Sequence, residues 1–137
     1  MKGSTVLSEN ILMGMSAVIS FILIILVVRM VLTQQTERTY QNLFESIARD
    51  ISLIIDRQAS MSSSEKREYE LPKGVHADVR IDYKYVFVTY DDKTVSKSYS
   101  GITNSPQAYE FSEPRILCFV KNQNTIQVFD KPCMEVQ

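Results

Sequence analysis

The stretch Ile11–Val28, ILMGMSAVISFILIILVV, and the later stretch Tyr40–Ile55, YQNLFESIARDISLII, together decide the architecture of this chain. The first holds no charged residue and no Asn, Gln or Pro, and its only polar side chains are Ser16 and Ser20. A helix of that length rises about 27 Å at ~1.5 Å per residue. Residues 29–32, with Arg29 snorkelling outward, extend it to the roughly 30 Å of a bilayer core. A helix that is apolar on every side could also be buried in a soluble protein, but residues 33–137 are too few to wrap one. A secretory signal peptide has a shorter apolar run and a small-residue cleavage site. Here the run is longer and leads into Val31-Leu32-Thr33-Gln34-Gln35, so residues 11–32 are predicted to remain as a transmembrane anchor.

In the second stretch the apolar residues Tyr40, Leu43, Phe44, Ile47, Ala48, Ile51, Ile54 and Ile55 recur at steps of three and one. That spacing is one face of an α-helix. Glu37, Arg38, Gln41, Glu45, Arg49, Asp56 and Arg57 fall mostly on the other faces. No Gly or Pro lies between Gly14 and Pro72, so a single helix is predicted from Ser8 to Ala59, ending near the Ser60–Ser64 cluster. Each buried Leu, Ile or Phe of the stripe contributes roughly 1.5–3 kcal/mol, which requires a partner surface supplied by the rest of the chain.

That remainder reads as strands. Ala77–Tyr83 alternates, with Val79, Ile81 and Tyr83 expected inward and Asp78, Arg80 and Asp82 outward. Tyr85–Tyr90 (YVFVTY) is β-branched or aromatic on both faces, which suits a central strand. Asp91-Asp92-Lys93 supplies a turn, Thr94–Tyr99 returns as a strand ended by Gly101, and Leu71-Pro72-Lys73-Gly74 is the loop leading in. A short strand is expected around Gln107–Phe111. Ile116–Lys121 and Thr125–Phe129 form a hairpin about Asn122-Gln123-Asn124. The predicted fold is therefore α+β: a long N-terminal helix, transmembrane in its first half and amphipathic in its second, packed on a small antiparallel β-sheet or sandwich. The segments are 1–10, a short N-terminus; 11–32, the span; 33–60, the helix extension; and 61–137, five or six antiparallel strands.

Charge and motif content narrow the function. The 137 residues carry a formal net charge of -1. Nearly all the charge lies after residue 33, where it sums to about -2, so there is no electrostatic footprint for nucleic acid. His76 is the only histidine, and no clustered Cys offers it a metal partner at ligand spacing. Neither a G-x-S-x-G elbow nor a P-loop is present, and Asp91-Asp92 is better explained as an acidic turn than as a cation site. No catalytic residue, metal or cofactor is expected, and the chain is read as a non-enzyme.

Cys118 and Cys133 permit one disulfide. Folding the terminal hairpin back brings the tail past Cys118, so a bridge is geometrically open; two buried free thiols are the alternative. Orientation is likewise open. Lys2 precedes the span with Glu9 opposing it, while Arg29, Arg38 and Arg49 follow it, so a positive-inside count favours a cytoplasmic C-terminal domain. A disulfide and the Ser/Thr/Tyr-rich strands favour the other side.

The opening Lys2-Gly3-Ser4-Thr5-Val6-Leu7-Ser8-Glu9-Asn10, running into an apolar helix, resembles the class III signal sequence of archaeal type IV pilin-like membrane proteins. Glu45–Asp56 (ESIARDISLIID), Glu70–Gly74 (ELPKG) and Ile81–Tyr90 (IDYKYVFVTY) are similar to small members of that group. The resemblance implies cleavage by a prepilin peptidase after Gly3, making Ser4 the mature first residue. It also implies a β-domain outside the membrane and oligomerisation, with itself or with related subunits, through the N-terminal helix. Glu9, the one acidic residue before the apolar run, would then pair with a neighbour's amino terminus during assembly. The family usually has Gln after the cut and Glu five residues in; here Ser follows Gly3 and Glu9 is sixth. Small residues Gly14, Ser16, Ala17 and Ser20 allow close helix contact in such an assembly. The expected function is a pilin-like structural subunit of a surface filament or secretion apparatus. The alternative is a single-pass anchored accessory protein whose β-domain binds a partner without polymerising.

Overall fold

A computed structural model describes residues 3–61, 64–100, 108–123 and 125–136, with only the backbone for residues 3–7. Helix α1 runs Gly3–Ser60, and seven strands follow: β1 Lys66–Glu70, β2 Asp78–Ile81, β3 Tyr85–Tyr90, β4 Lys93–Ser98, β5 Tyr109–Phe111, β6 Ile116–Asn122 and β7 Thr125–Phe129. A 3-10 turn, Cys133–Glu135, closes the described chain. The architecture is α+β, with the long helix packed on two small antiparallel sheets. One sheet has the order β1-β6-β7 and the other β4-β3-β2-β5.

The chain divides into two compact units, Met1–Tyr40 and Gln41–Gln137. In the first, the apolar side chains stand exposed; Phe21 and Met30 are each 65% accessible. Among the described residues α1 is the one helix long and apolar enough to cross a membrane, and none of its apolar window is buried within the chain. It therefore fits a single-pass anchor. Between the apolar run and the second unit the helix carries Thr33, Thr36 and Thr39. Their hydroxyls donate to the carbonyls of Arg29, Leu32 and Gln35, each at 2.9 Å, so these residues satisfy themselves within the helix.

The second unit begins inside α1, at Gln41, so residues 41–60 of the helix extension share a unit with the strands. The helical stripe is buried as its period requires: Phe44, Ile47, Ala48, Ile51 and Ile55 join Val79, Ile81, Val86, Val88, Leu117, Phe119, Ile126 and Val128 in one core. Leu43 and Ile54 pack at its margin. Tyr40 does not join it: at 53% exposure it lies one helical turn before the sheets begin to cover α1.

β3 is a central strand, hydrogen-bonded to β2 and β4, and its Val86 and Val88 are fully buried. The β3–β4 connection is a two-residue turn in which Asp91 and Asp92 both have positive φ, 43° and 60°. This is the turn whose twist matches that of a hairpin, and Asp tolerates it better than most residues.

Three expectations need correction. Tyr83 is not an inward strand residue: β2 stops at Ile81, because the Asp82 carboxylate accepts a hydrogen bond from the Tyr83 N–H at 2.7 Å and folds the chain into a turn. Tyr83 is consequently 57% exposed. Second, β1 (KREYE) is a strand where the residue pattern predicts none. Third, with β1 there are seven strands in two sheets instead of five or six. Gly101 and residues 102–107 lie outside the described residues, as does Asn124 of the terminal turn.

The two sheets join through two crossings at one end of the unit: residues 71–77 lead from β1 to β2, and residues 112–115 lead from β5 to β6. This is the end at which the chain arrives from residue 40. Tyr90 there stacks on Phe44 with ring centroids 3.7 Å apart, and its neighbour Thr89 pairs with Asp78 at the start of β2. At the opposite end Asp56 accepts hydrogen bonds from the Ser100 N–H at 2.8 Å and its hydroxyl at 3.2 Å.

Candidate functional site

The two crossings enclose a cleft of about 440 Å³, within the range of small-molecule sites, roughly 300–1,000 Å³. Its shape is fixed locally. The Leu71 N–H donates to the Arg115 carbonyl at 2.9 Å, tying one crossing to the other. The Val75 N–H donates to the Pro72 carbonyl at 3.2 Å, closing a turn that Gly74 completes at φ 80°, a conformation that favours glycine. On the second crossing, Asp78 accepts from the Ser112 hydroxyl at 2.9 Å and from the Glu113 N–H at 3.1 Å. Pro72 and Pro114 add fixed φ angles. Buried Leu71 and Pro114 lie among the lining residues.

The ionisable lining residues are Glu70, Lys73, His76, Glu113 and Arg115. His76 Nδ1 sits 3.3 Å from Glu113 Oε2, both side chains largely exposed. Among the described residues Lys73, Arg115 and Glu70 form no ion pair. The sequence identifies 71–74 as a loop and gives His76 no metal partner. It hides the cleft because the two crossings lie far apart in sequence. On the outward face of β2, Arg80 pairs with Asp82 at 3.2 Å and Glu110 at 3.8 Å, and its guanidinium lies 5.2 Å from the Phe87 ring centroid.

At the other end of β2 and β3, Tyr83, Lys84 and Tyr85 stand exposed on a firmly held turn. The Asp82 N–H donates to the Tyr85 carbonyl at 2.8 Å, the Tyr99 N–H to the Lys84 carbonyl at 3.0 Å, and the Tyr99 hydroxyl to the Asp82 carbonyl at 2.5 Å. The Asp82 carboxyl is held below the usual carboxylate range, chiefly by the Tyr83 N–H and then by Arg80. Tyrosine is thus divided between core (Tyr99), margin (Tyr90, Tyr109) and surface (Tyr83, Tyr85).

The structure joins Cys118 to Cys133, with S–S 1.99 Å and Cα–Cα 5.1 Å. Cys118 points away from Leu117 and Phe119, so the bridge draws the tail across the outer face of the β1-β6-β7 sheet. There the Cys133 N–H donates to Glu68 Oε2 at 2.8 Å, Lys66 Nζ donates to the Val136 carbonyl, and Val136 is buried. The tail covers Lys66 and Glu68 of β1, the strand that the sequence concealed.

Gly3 and Ser4 lie in the first turn of α1, and Glu9 is exposed on it. Among the described residues no three His, Cys, Asp or Glu side chains group as metal ligands. Compared with known protein families, curated proteins and solved structures, the chain finds no match in any of the three.

Proposed function

We propose that this chain is a non-enzymatic, single-pass membrane subunit of pilin-like organisation, with its β-domain on the extracytoplasmic side. The observation that carries this reading is the dual use of α1. Its first part is apolar all round and exposed, suited to lipid or to a bundle of like helices. Its second part supplies Phe44, Ile47, Ile51 and Ile55 to the core of a β-domain. A single element that both anchors and nucleates the domain is the organisation that the resemblance at Gly3, Ser4 and Glu9 implies. A disulfide between Cys118 and Cys133 agrees with an oxidising compartment. The N-terminal residue of the protein recovered from native membranes tests the reading: Ser4 supports prepilin-type processing and assembly, whereas an intact Met1 argues against it.

The preformed cleft favours a second reading, an anchored accessory protein that binds a partner and does not polymerise. Glu9→Ala distinguishes the two. Loss of filament or complex assembly supports the first, and unchanged assembly with intact partner binding supports the second. Cysteine accessibility in whole cells, read with and without reductant, reports the side on which the β-domain lies.

A further inference from the structure

The cleft between the two crossings carries an inference that goes beyond anchoring or assembly. Lys73, Arg115 and Glu70 line one cavity and make no ion pair among the described residues, while His76 Nδ1 lies 3.3 Å from Glu113 Oε2. Opposite charges that share a cleft without meeting suit a ligand bearing both signs. Lys73 and Arg115 offer an anionic group two cations, and the Glu70 carboxylate offers a cationic group its counter-charge. The walls are held before any ligand arrives, by the Leu71–Arg115 backbone bond and by the two bonds that Asp78 accepts, so little ordering cost remains for binding. Buried Leu71 and Pro114 add apolar surface against which a short carbon chain can lie.

We infer that this cleft binds a small phosphate ester carrying a primary amine. The phosphoryl group engages Lys73 and Arg115, whose guanidinium fork matches phosphate oxygens. The ammonium group faces Glu70. Such a group occurs both as a soluble monoester and as the diester headgroup of a lipid.

The test uses the full chain in non-ionic detergent micelles, observed by backbone amide NMR and titrated with O-phosphoethanolamine, with inorganic phosphate and ethanolamine as single-sign controls. The expected result is a saturable shift confined to the amides of residues 70, 71, 73–76, 113 and 115, with phosphoethanolamine binding more tightly than either control. Lys73→Gln and Arg115→Gln should each weaken it by about tenfold, the loss of one charge-assisted hydrogen bond. Glu70→Gln should weaken phosphoethanolamine but leave phosphate unchanged. These exposed side chains can be replaced without disturbing the core, and an unchanged amide spectrum elsewhere verifies the fold. Glycerophosphoethanolamine separates the sources: weaker binding than the monoester identifies a soluble ligand, and equal or tighter binding identifies a lipid headgroup. The absence of a saturable shift with every probe up to about 10 mM overturns the proposal. So does a shift that survives in the Lys73→Gln/Arg115→Gln double variant. Either failure leaves the membrane-subunit reading untouched, because that reading rests on α1.

Discussion

The ammonium group of Lys121 donates to the carbonyl of Ala59 at 3.1 Å and also to the carbonyl of Met61, so strand β6 caps the end of the helix that opens the chain. Those carbonyls have no partner within the helix, and the negative end of the helix dipole favours a cation there. One residue earlier in α1, Gln58 is fully buried and its amide Nε2 donates to the Glu65 carbonyl at 3.1 Å and the Phe119 carbonyl at 2.9 Å. The helix end and the start of β1 are thereby fastened to the same strand.

Lys121→Met is expected to lower the stability of the β-domain by about 1–2 kcal/mol, because the last helix carbonyls lose both a donor and a compensating charge. Lys121→Arg should retain most of it. Thermal unfolding of the full chain in detergent, followed by circular dichroism in the β-domain signal, measures the difference.

Ile51→Ala should cost about 2–5 kcal/mol, since it empties a fully buried position on the helical stripe. Leu23→Ala, on the exposed apolar stretch, should change unfolding of the β-domain by less than about 0.5 kcal/mol. Equal losses from the two would show that the division of the chain at Tyr40 and Gln41 has no energetic counterpart.

Reduction of Cys118–Cys133 should lower stability by about 3 kcal/mol, the loop-closure value for a separation of 15 residues. The tail should be released with it. Cys133→Ser should give the same fall in melting temperature without reductant, and in addition faster amide exchange at Arg67 and Tyr69, whose strand the tail covers.

Much of this arrangement was legible because it is periodic. The stripe from Leu43 to Ile55 and the strand Tyr85–Tyr90 announce themselves by spacing and residue type. Strand β1 does not: Lys66, Glu68 and Glu70 face outward, Arg67 is only half-buried, and a lone Tyr69 carries the apolar signal. Charge on an edge strand is a common protection against unwanted pairing, and it hides the strand from a search for alternation. Gln58 and Lys121 were missed for another reason. They are tolerated in or beside the core only through partners distant in sequence. The cleft was hidden in the same way, since neither crossing forms it alone.

Two side chains contribute to the pH response of the β-domain. Tyr69 is pushed up to about 12, by burial first and by the negative charge of Asp50 second, from an ordinary value of 10.0. Between those values the unfolded chain releases the phenolic proton while the folded chain keeps it, so stability present below pH 10 falls as pH rises through that window. Asp82 acts at the other end: its lowered value contributes stability that is present above the ordinary carboxylate range and is lost as pH falls through the folded value. Melting temperature against pH should show the alkaline fall flattened in Tyr69→Phe and the acid fall flattened in Asp82→Asn.

The position of the boundary inside α1 also governs how the protein can be shed. A proteolytic cut in residues 33–40 would free a domain that still owns its core helix. A cut just beyond Ser60 would strip Phe44, Ile47, Ile51 and Ile55 from two sheets that cannot close over one another without them. Release and destruction are therefore separated by about six helical turns, and a protease acting on this chain chooses between a soluble product and an aggregating one by where along α1 it cleaves.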